Sequence, residues 1–234
     1  MLLTQSSINR LGIFFFYDSD GVVDDYVPTL LVGFKPHFSE MTIVCNGKLN
    51  EAGQSILSRY TDNLIIRPNT GFDVWAYKTA LDSYGWEKLE QFDEIVLFNA
   101  TIMGPVYPFA EMFETMNKRD LDFWGITKFH RVEHDPFGRS PYPYLPEHIQ
   151  SHFHAYRKSL HTSQAFRDYW DNIPPINDYY DSVGLHESLF TKRFADKGFK
   201  WDVYVDTSDL EGFTYGPITY AAKRLVAEKR CPIF

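Results

Sequence analysis

Four short apolar runs alternate with segments of helical period through the first half of the chain, and that alternation predicts its fold. Residues 12–17, 41–45, 63–67 and 94–98 are rich in Ile, Val, Leu and Phe and too short for helices. Runs of this length read as strands buried on both faces. Between them, residues 26–34, 50–60 and 73–84 place apolar side chains every three or four positions, the stripe of an amphipathic helix. A β-α-β-α-β-α-β order predicts an α/β domain with a mostly parallel central sheet, right-handed crossovers and flanking helices. Beyond Asn99 the order loosens. A turn at Gly104 and Pro105 leads to a helix with Phe109, Met112, Phe113 and Met116 on one face, and residues 123–127 read as a strand. Residues 131–146 form a Pro-rich excursion, long for a structureless loop and therefore either a mobile lid or a cleft wall. Residues 148–156 alternate as a strand carrying Gln150, His152, His154 and Tyr156 on one face. Helices follow at 163–172 and about 181–197, with Gly198 just past the second, then a strand at 199–205. Without a linker or repeat, residues 1–234 predict one domain, which its ending on E-K-R-C-P-I-F leaves open as a piece of a longer protein.

One segment joins a strand end to a helix start. In R-P-N-T-G-F-D-V-W-A-Y-K, residues 67–78, Pro68 disfavours further regular structure at its neighbours and Gly71 permits a left-handed turn. Asp73 stands where an N-cap belongs, and Phe72 and Tyr77 have the spacing of a hydrophobic staple. Two readings stand side by side. In one, Asp73 satisfies backbone donors and Arg67 is a solvated strand end. In the other, the segment binds a ligand, because ligands of open parallel sheets lie beyond the carboxyl ends of the strands, where helix N-termini offer N–H groups to phosphate.

Composition narrows the partners. Aromatic residues make up 17% of the chain, which suits a packed domain with a stacking or sugar-binding cleft. The formal net charge of −8 argues against a broad basic face for nucleic acid. Cys45 and Cys231 form neither a C-x-x-C pair nor a disulfide framework, and no cleavable leader pattern opens the chain; a reducing, cytoplasmic setting is expected. The apolar run at 11–17 falls far short of the ~20 residues that cross a bilayer, so any membrane contact is expected to be peripheral.

Four constellations could carry chemistry. The segment F-F-F-Y-D-S-D-G-V-V-D-D-Y puts Asp18, Asp20, Asp24 and Asp25 directly after the first strand. A strand followed by D-x-D-G looks like the first motif of haloacid-dehalogenase-type phosphatases, with Thr127, Lys192 or Lys197, and Asp206 with Asp209 as further recruits. Equally, Asp18 and Asp20 could shape the turn at Gly21 while Asp24 or Asp25 caps a helix. The second is L-F-N-A-T-I-M-G-P, where Asn99 and Thr101 flank Ala100 at the end of the fourth strand. GT-A glycosyltransferases carry a metal-holding acidic D-x-D-type element here, but these are neutral residues that a strand-to-turn transition also explains. In H-I-Q-S-H-F-H, His152 and His154 could bind zinc, Gln150 and His152 could recognise a sugar, or the histidines could simply pack. Lastly, Val183, Glu187, Phe190 and Phe194 fall on one helical face, so the Glu187 carboxylate either pairs with a cation or serves in a cleft as a general base.

Taken together, these blocks resemble the rhamnan synthesis protein F family, bacterial glycosyltransferases of rhamnose-rich polysaccharides, over roughly residues 15–234. The resemblance rests on D-G-V-V-D-D-Y-V (20–27), N-G-K-L (46–49), the 67–78 segment, N-A-T-I-M-G-P (99–105), D-F-W-G-I-T (122–127), H-I-Q-S-H-F (148–153) and H-E-S-L-F-T (186–191). It implies a GT-A-like domain and an inverting hexosyl transfer from a nucleotide sugar, most directly dTDP-L-rhamnose, to a saccharide or lipid-linked saccharide at the cytoplasmic membrane face. On this reading Glu187 is the catalytic base. Asp24, Asp25, Arg67, Asn69, Gly71, Asp73, Lys78, Asn99 and Thr101 bind the donor, and Gln150 and His152 lie on the acceptor side. A divalent cation, Mg or Mn, is an expected cofactor of such a fold with no ligand set assigned. Where the family shows an N-D-S-like triplet this chain has Asn99, Ala100, Thr101, which keeps a non-catalytic sugar-nucleotide or saccharide-binding module as a second reading.

Overall fold

In the computed structural model, which describes residues 1–5, 7–61 and 63–234, the expected alternation is realised through the first four strands. These are β1 (Arg10–Tyr17), α1 (Tyr26–Phe34), β2 (Glu40–Asn46), α2 (Glu51–Leu57), β3 (Asn63–Arg67), α3 (Phe72–Tyr84), the short α4 (Trp86–Leu89) and β4 (Glu94–Asn99). After α5 (Phe109–Asn117) come β5 (Phe123–Gly125), β6 (Lys128–Phe129), β7 (His148–Ile149) and β8 (Phe153–Arg157). The helices α6 (Lys158–His161), α7 (Gln164–Asp171), α8 (Tyr179–Asp181) and α9 (Ser188–Ala195) precede β9 (Trp201–Val203), and α10 (Pro217–Tyr220) and α11 (Ala222–Lys229) end the order.

The main sheet has seven strands in the order β3-β2-β1-β4-β8-β5-β9. All neighbours pair in parallel except β8, which runs antiparallel to both β4 and β5. This is the expected α/β class, a mostly parallel central sheet flanked by helices. Strand periodicity divides β1 between two cores. Phe14 and Phe16 point to the face covered by α1, α5 and α11, whereas Leu11 and Ile13 point to the face covered by α3, α7 and α9. On the first face Phe34 of α1 stacks on Phe109 of α5 at 3.7 Å between ring centroids. Burying each such ring contributes about 1.5–3 kcal/mol.

A buried ionic knot pins the amino ends of the parallel strands. Glu94 opens β4 and accepts from Arg10 Nε at 2.6 Å, Trp124 Nε1 at 2.8 Å and Arg157 Nε at 3.3 Å. The opposite edge, where β1 to β4 end and β8 begins, is therefore free of that constraint and carries the polar loops.

Three expectations change in detail. The single strand at 148–156 is two: β7 pairs with β6 in a separate ribbon, and β8 joins the main sheet. The break follows from Gln150 and Ser151, whose N–H groups go to Thr127 O and to the Glu187 carboxylate rather than to a ladder. The strand at 199–205 shortens to β9. The helix at 181–197 contains a π-helical stretch, Ser182–Glu187, between α8 and α9. That wider turn rotates His186 into the aromatic core against Tyr169, Trp170 and Phe190 and leaves Glu187 half-buried, so the face read for Glu187 belongs to its neighbour. The 131–146 excursion packs as a wall: Val132 bridges Leu145, and Arg139 bonds Asp181 at 2.9 Å.

Candidate functional site

Polar residues that terminate β2, β3 and β4 meet the first turn of α3. Arg67 Nη1 donates to Asn46 Oδ1 at 2.7 Å and to Thr70 O at 2.8 Å, and Asn46 Nδ2 donates to Phe72 O at 3.0 Å. These bonds hold the turn in which Gly71 has φ 73° and Phe72 φ 55°. A positive φ at a non-glycine residue is uncommon and marks a turn held by its surroundings. A side chain at position 71 would also put Cβ 2.5 Å from Trp75. Gly71, not Asp73, is consequently the N-cap, and the helix starts at Phe72. Since the side chain of Phe72 is exposed, the expected staple with Tyr77 does not form.

Freed from capping, Asp73 faces the end of β4. Its Oδ1 accepts the Val74 N–H at 3.0 Å, and its Oδ2 lies 3.5 Å from Asn99 Nδ2. Asn99 Oδ1 is occupied by Thr101, which donates through its N–H at 3.1 Å and its hydroxyl at 2.6 Å. The Tyr77 hydroxyl is buried beside Asp73 and has no hydrogen-bond partner among the described residues. Glu187 closes the group from the other side, with Oε1 accepting the Ser151 N–H at 2.9 Å. Burial, then the charge of Glu187, pushes the Asp73 carboxyl up to about 6 although the residue as a whole is only half-buried. Burial likewise raises Glu187, against the Ser151 bond that lowers it. Two carboxylates that resist joint ionisation, one held by a single backbone donor, make a site able to accept a proton near neutral pH.

Two cavities flank this group. One, of about 350 Å³, is lined by Thr101, Gln150, Ser151, His152 and Glu187, with Ile218, Thr219 and Phe234 closing it. The other, of about 490 Å³, is lined by Phe15, Tyr17, Asn69, Thr70, Gly71, Phe72, Ile176 and Asn177. The candidate donor residues Asn69 and Gly71 thus line one cavity, and Glu187, Gln150, His152 and Thr101 line the other. In the latter, Thr127 Oγ1 donates to Gln150 Oε1 at 2.9 Å and lies 3.2 Å from His152 Nε2; burial lowers His152 to about 4, so its ring stays neutral.

Other candidates sit elsewhere. Lys78 is paired with Asp82 at 3.0 Å, one turn further along α3. Asp24 and Asp25 are exposed before α1; neighbouring Tyr26 donates to Ala100 O at 2.7 Å, which brings that acidic loop beside the end of β4. Asp18 spends one carboxylate oxygen on the N–H groups of Asp20 and Val22, the turn-shaping role. Most residues recruited for a phosphatase are engaged: Lys192 with Asp196, Asp206 with Ser208, Asp209 with Arg224 and Lys229, Thr127 with Gln150. His152 and His154 belong to no cluster of three ligand-type side chains among the described residues, and His154 Nδ1 pairs with the Tyr156 hydroxyl at 3.1 Å. For Mg or Mn at the end of β4, the donor set fits poorly. A hard cation wants several free carboxylate or carbonyl oxygens, yet the Ala100 side chain has none and its carbonyl accepts from Tyr26, Asn99 Oδ1 is taken by Thr101, and the Asp73 and Glu187 carboxylates accept from Val74 and Ser151. Sequence reasoning missed Asn46 and Tyr77. Asn46 figures in the sequence only within the N-G-K-L block, yet as a polar residue ending an apolar strand it gives the same signal as Asn99 and Arg67.

Residues 41–234 match the model of the family described as rhamnan synthesis protein F. A curated relative, the uncharacterized protein y4gN of Sinorhizobium fredii, is 24% identical over 159 residues, 68% of this chain and 39% of its own length. The chain therefore spans about two fifths of that relative. Among solved structures, 4-diphosphocytidyl-2C-methyl-D-erythritol synthase from Anaerococcus prevotii matches at a TM-score of 0.48 and 14% identity, covering 84% of this chain and 86% of its own. Core-mannan synthase A from Aspergillus fumigatus, in an Mn/GDP form, matches at a TM-score of 0.43 and 8% identity, covering 86% and 72%.

Proposed function

The chain belongs to the rhamnan synthesis protein F family, and from that premise we propose that it is a glycosyltransferase domain using a nucleotide-sugar donor. The observation that carries the reading is the coupled pair Asp73 and Glu187 at the carboxyl edge of a parallel sheet, with Glu187 lining one cavity and the turn before Asp73 lining another. The donor, dTDP-L-rhamnose in this proposal, takes the cavity lined by Asn69 and Gly71, with Arg67 toward its diphosphate and Asp73 and Asn99 toward its sugar hydroxyls. A saccharide or lipid-linked saccharide acceptor enters beside Gln150 and His152. Glu187 removes the proton from the attacking hydroxyl, and attack from the face opposite the leaving diphosphate inverts the anomeric centre. Because the donor set does not fit a hard cation, no step is assigned to one; in this proposal Arg67, at the end of β3, exchanges its bonds to Thr70 for the charge of the departing diphosphate.

No helix among the described residues is long and apolar enough to cross a membrane. A cytoplasmic location with peripheral contact at the membrane face, where a lipid-linked acceptor would lie, belongs to the same proposal.

Thermal unfolding with a panel of nucleotide sugars tests donor choice, since a ligand that binds only the native state raises the midpoint. dTDP-rhamnose and dTDP are expected to raise it above GDP- and UDP-sugars at equal concentration. A shift with GDP-mannose alone would replace the donor, and no shift with any of them would favour a binding module for saccharide.

A further inference from the structure

The ribbon of β6 and β7 carries a second group of ligand-type side chains, away from the Asp73 and Glu187 pair. Its antiparallel register pairs Phe129 with His148, so the next positions outward, His130 and Glu147, stand side by side. Glu211, just past the 3₁₀ turn at Ser208–Leu210, approaches from a third segment. His130 Nδ1 lies 3.7 Å from Glu211 Oε1 and 4.0 Å from Glu147 Oε2, and the three ligand atoms all fall within 4.8 Å of one another. The His130 N–H donates to Tyr215 O at 2.7 Å, which fixes the ring's backbone against the segment that supplies Glu211.

The imidazole itself is unexplained by the fold. His130 is only 3% exposed, yet neither ring nitrogen has a hydrogen-bond partner among the described residues. Buried polar atoms are nearly always satisfied, and an orphan calls for a missing partner. A protonated ring bridging the two glutamates would supply one, but 3.7 and 4.0 Å are too long for hydrogen bonds. An imidazole with both nitrogens unbonded, facing two carboxylates, is instead a ligand set.

We propose that His130, Glu147 and Glu211 form a site for one divalent transition-metal ion, with zinc as the best fit. Bonds of about 2.0–2.2 Å from zinc to imidazole nitrogen and carboxylate oxygen set ligand atoms roughly 3.3–3.5 Å apart around a tetrahedron. The two His130 distances exceed this by about 0.2–0.7 Å and the outer 4.8 Å bound by more than 1 Å, a closure that Glu211, 60% exposed at its side chain, can supply by changing rotamer. The mixture of imidazole and carboxylate selects a first-row transition ion over Mg or Ca, which prefer all-oxygen shells. Lys128 Nζ sits 2.7 Å from Glu147 Oε2 and competes for that oxygen; Glu147 can serve both by dividing its two oxygens between lysine and metal. Three protein ligands leave a fourth position for water. Bound metal would join the base of the 131–146 wall to the segment leading into α10, whose Ile218 and Thr219 line the cavity with Glu187.

Calorimetric titration of metal-stripped protein with zinc, and with magnesium as control, tests the site on wild type and on Glu211→Gln and His130→Ala. One equivalent of zinc with no magnesium heat is expected, weakened at least about tenfold in Glu211→Gln and lost in His130→Ala. Glu211→Gln alters an exposed side chain, so it remains informative if the buried His130→Ala variant does not fold. Absence of zinc binding at about 1 mM, in the range of weak sites, would overturn the proposal. So would one equivalent held by Glu211→Gln with wild-type affinity.

Discussion

Neither Asp73 nor Glu187 is paired with a cation: Arg67 donates to Asn46 and Thr70, and Lys78 pairs with Asp82. The cost of ionising both appears on Asp73, whose folded value of about 6 exceeds the usual aspartate range because of burial and then Glu187. The sign follows from linkage. Between about pH 4 and 6 the folded state binds the proton that the unfolded state has released, so stability falls as pH rises through that window. Residual solvent contact holds the effect to at most about 2 kcal/mol. Urea unfolding across pH 4–7 should show this decline in wild type and a flatter profile in Asp73→Asn. Equal slopes in the two proteins would show that Asp73 is not the titrating group.

At the scale of elements, β1 to β4 and the helices between them could be read from sequence because buried parallel strands are nearly pure apolar runs. What could not be read was set by single backbone bonds. Ser151 gives its N–H to Glu187, which splits the alternating run 148–156; a period-2 pattern carries no sign of that donor. The π-helical stretch Ser182–Glu187 adds a residue to the turn, so an i, i+4 reading assigned Glu187 a face that His186 occupies. Wider turns of this kind recur at functional sites and have no composition signal. Glu187 comes to Asp73 all the same, held by Ser151; Tyr77 had no signal, since an aromatic on a buried face is ordinary core. At the start of α3, Gly71 rather than Asp73 makes the entry, with positive φ and no room for Cβ beside Trp75. Gly71→Ala is expected to lower stability by about 1–3 kcal/mol through strain and overpacking and to weaken nucleotide-sugar binding. An unchanged urea midpoint would contradict this account of the turn.

Across the whole molecule, rigidity and chemistry occupy opposite ends of one sheet. Glu94, with Arg10, Trp124 and Arg157, knots the amino edge in a fully buried network, where loss of one partner would strand a charge. The carboxyl edge bears the two cavities and the acidic pair. Loops positioned by such a scaffold can diversify without disturbing it. This explains how the neutral Asn99, Ala100, Thr101 triplet is accommodated at the end of β4, and in the proposed function the chemistry falls to Asp73 and Glu187. The most direct measurement is sugar transfer from the preferred nucleotide sugar to a saccharide acceptor by wild type and Glu187→Gln, with donor affinity measured in parallel. The account predicts a loss of turnover of about 10²–10⁴-fold, the usual worth of a general base, with donor affinity retained. Turnover by Glu187→Gln at the wild-type rate would contradict it.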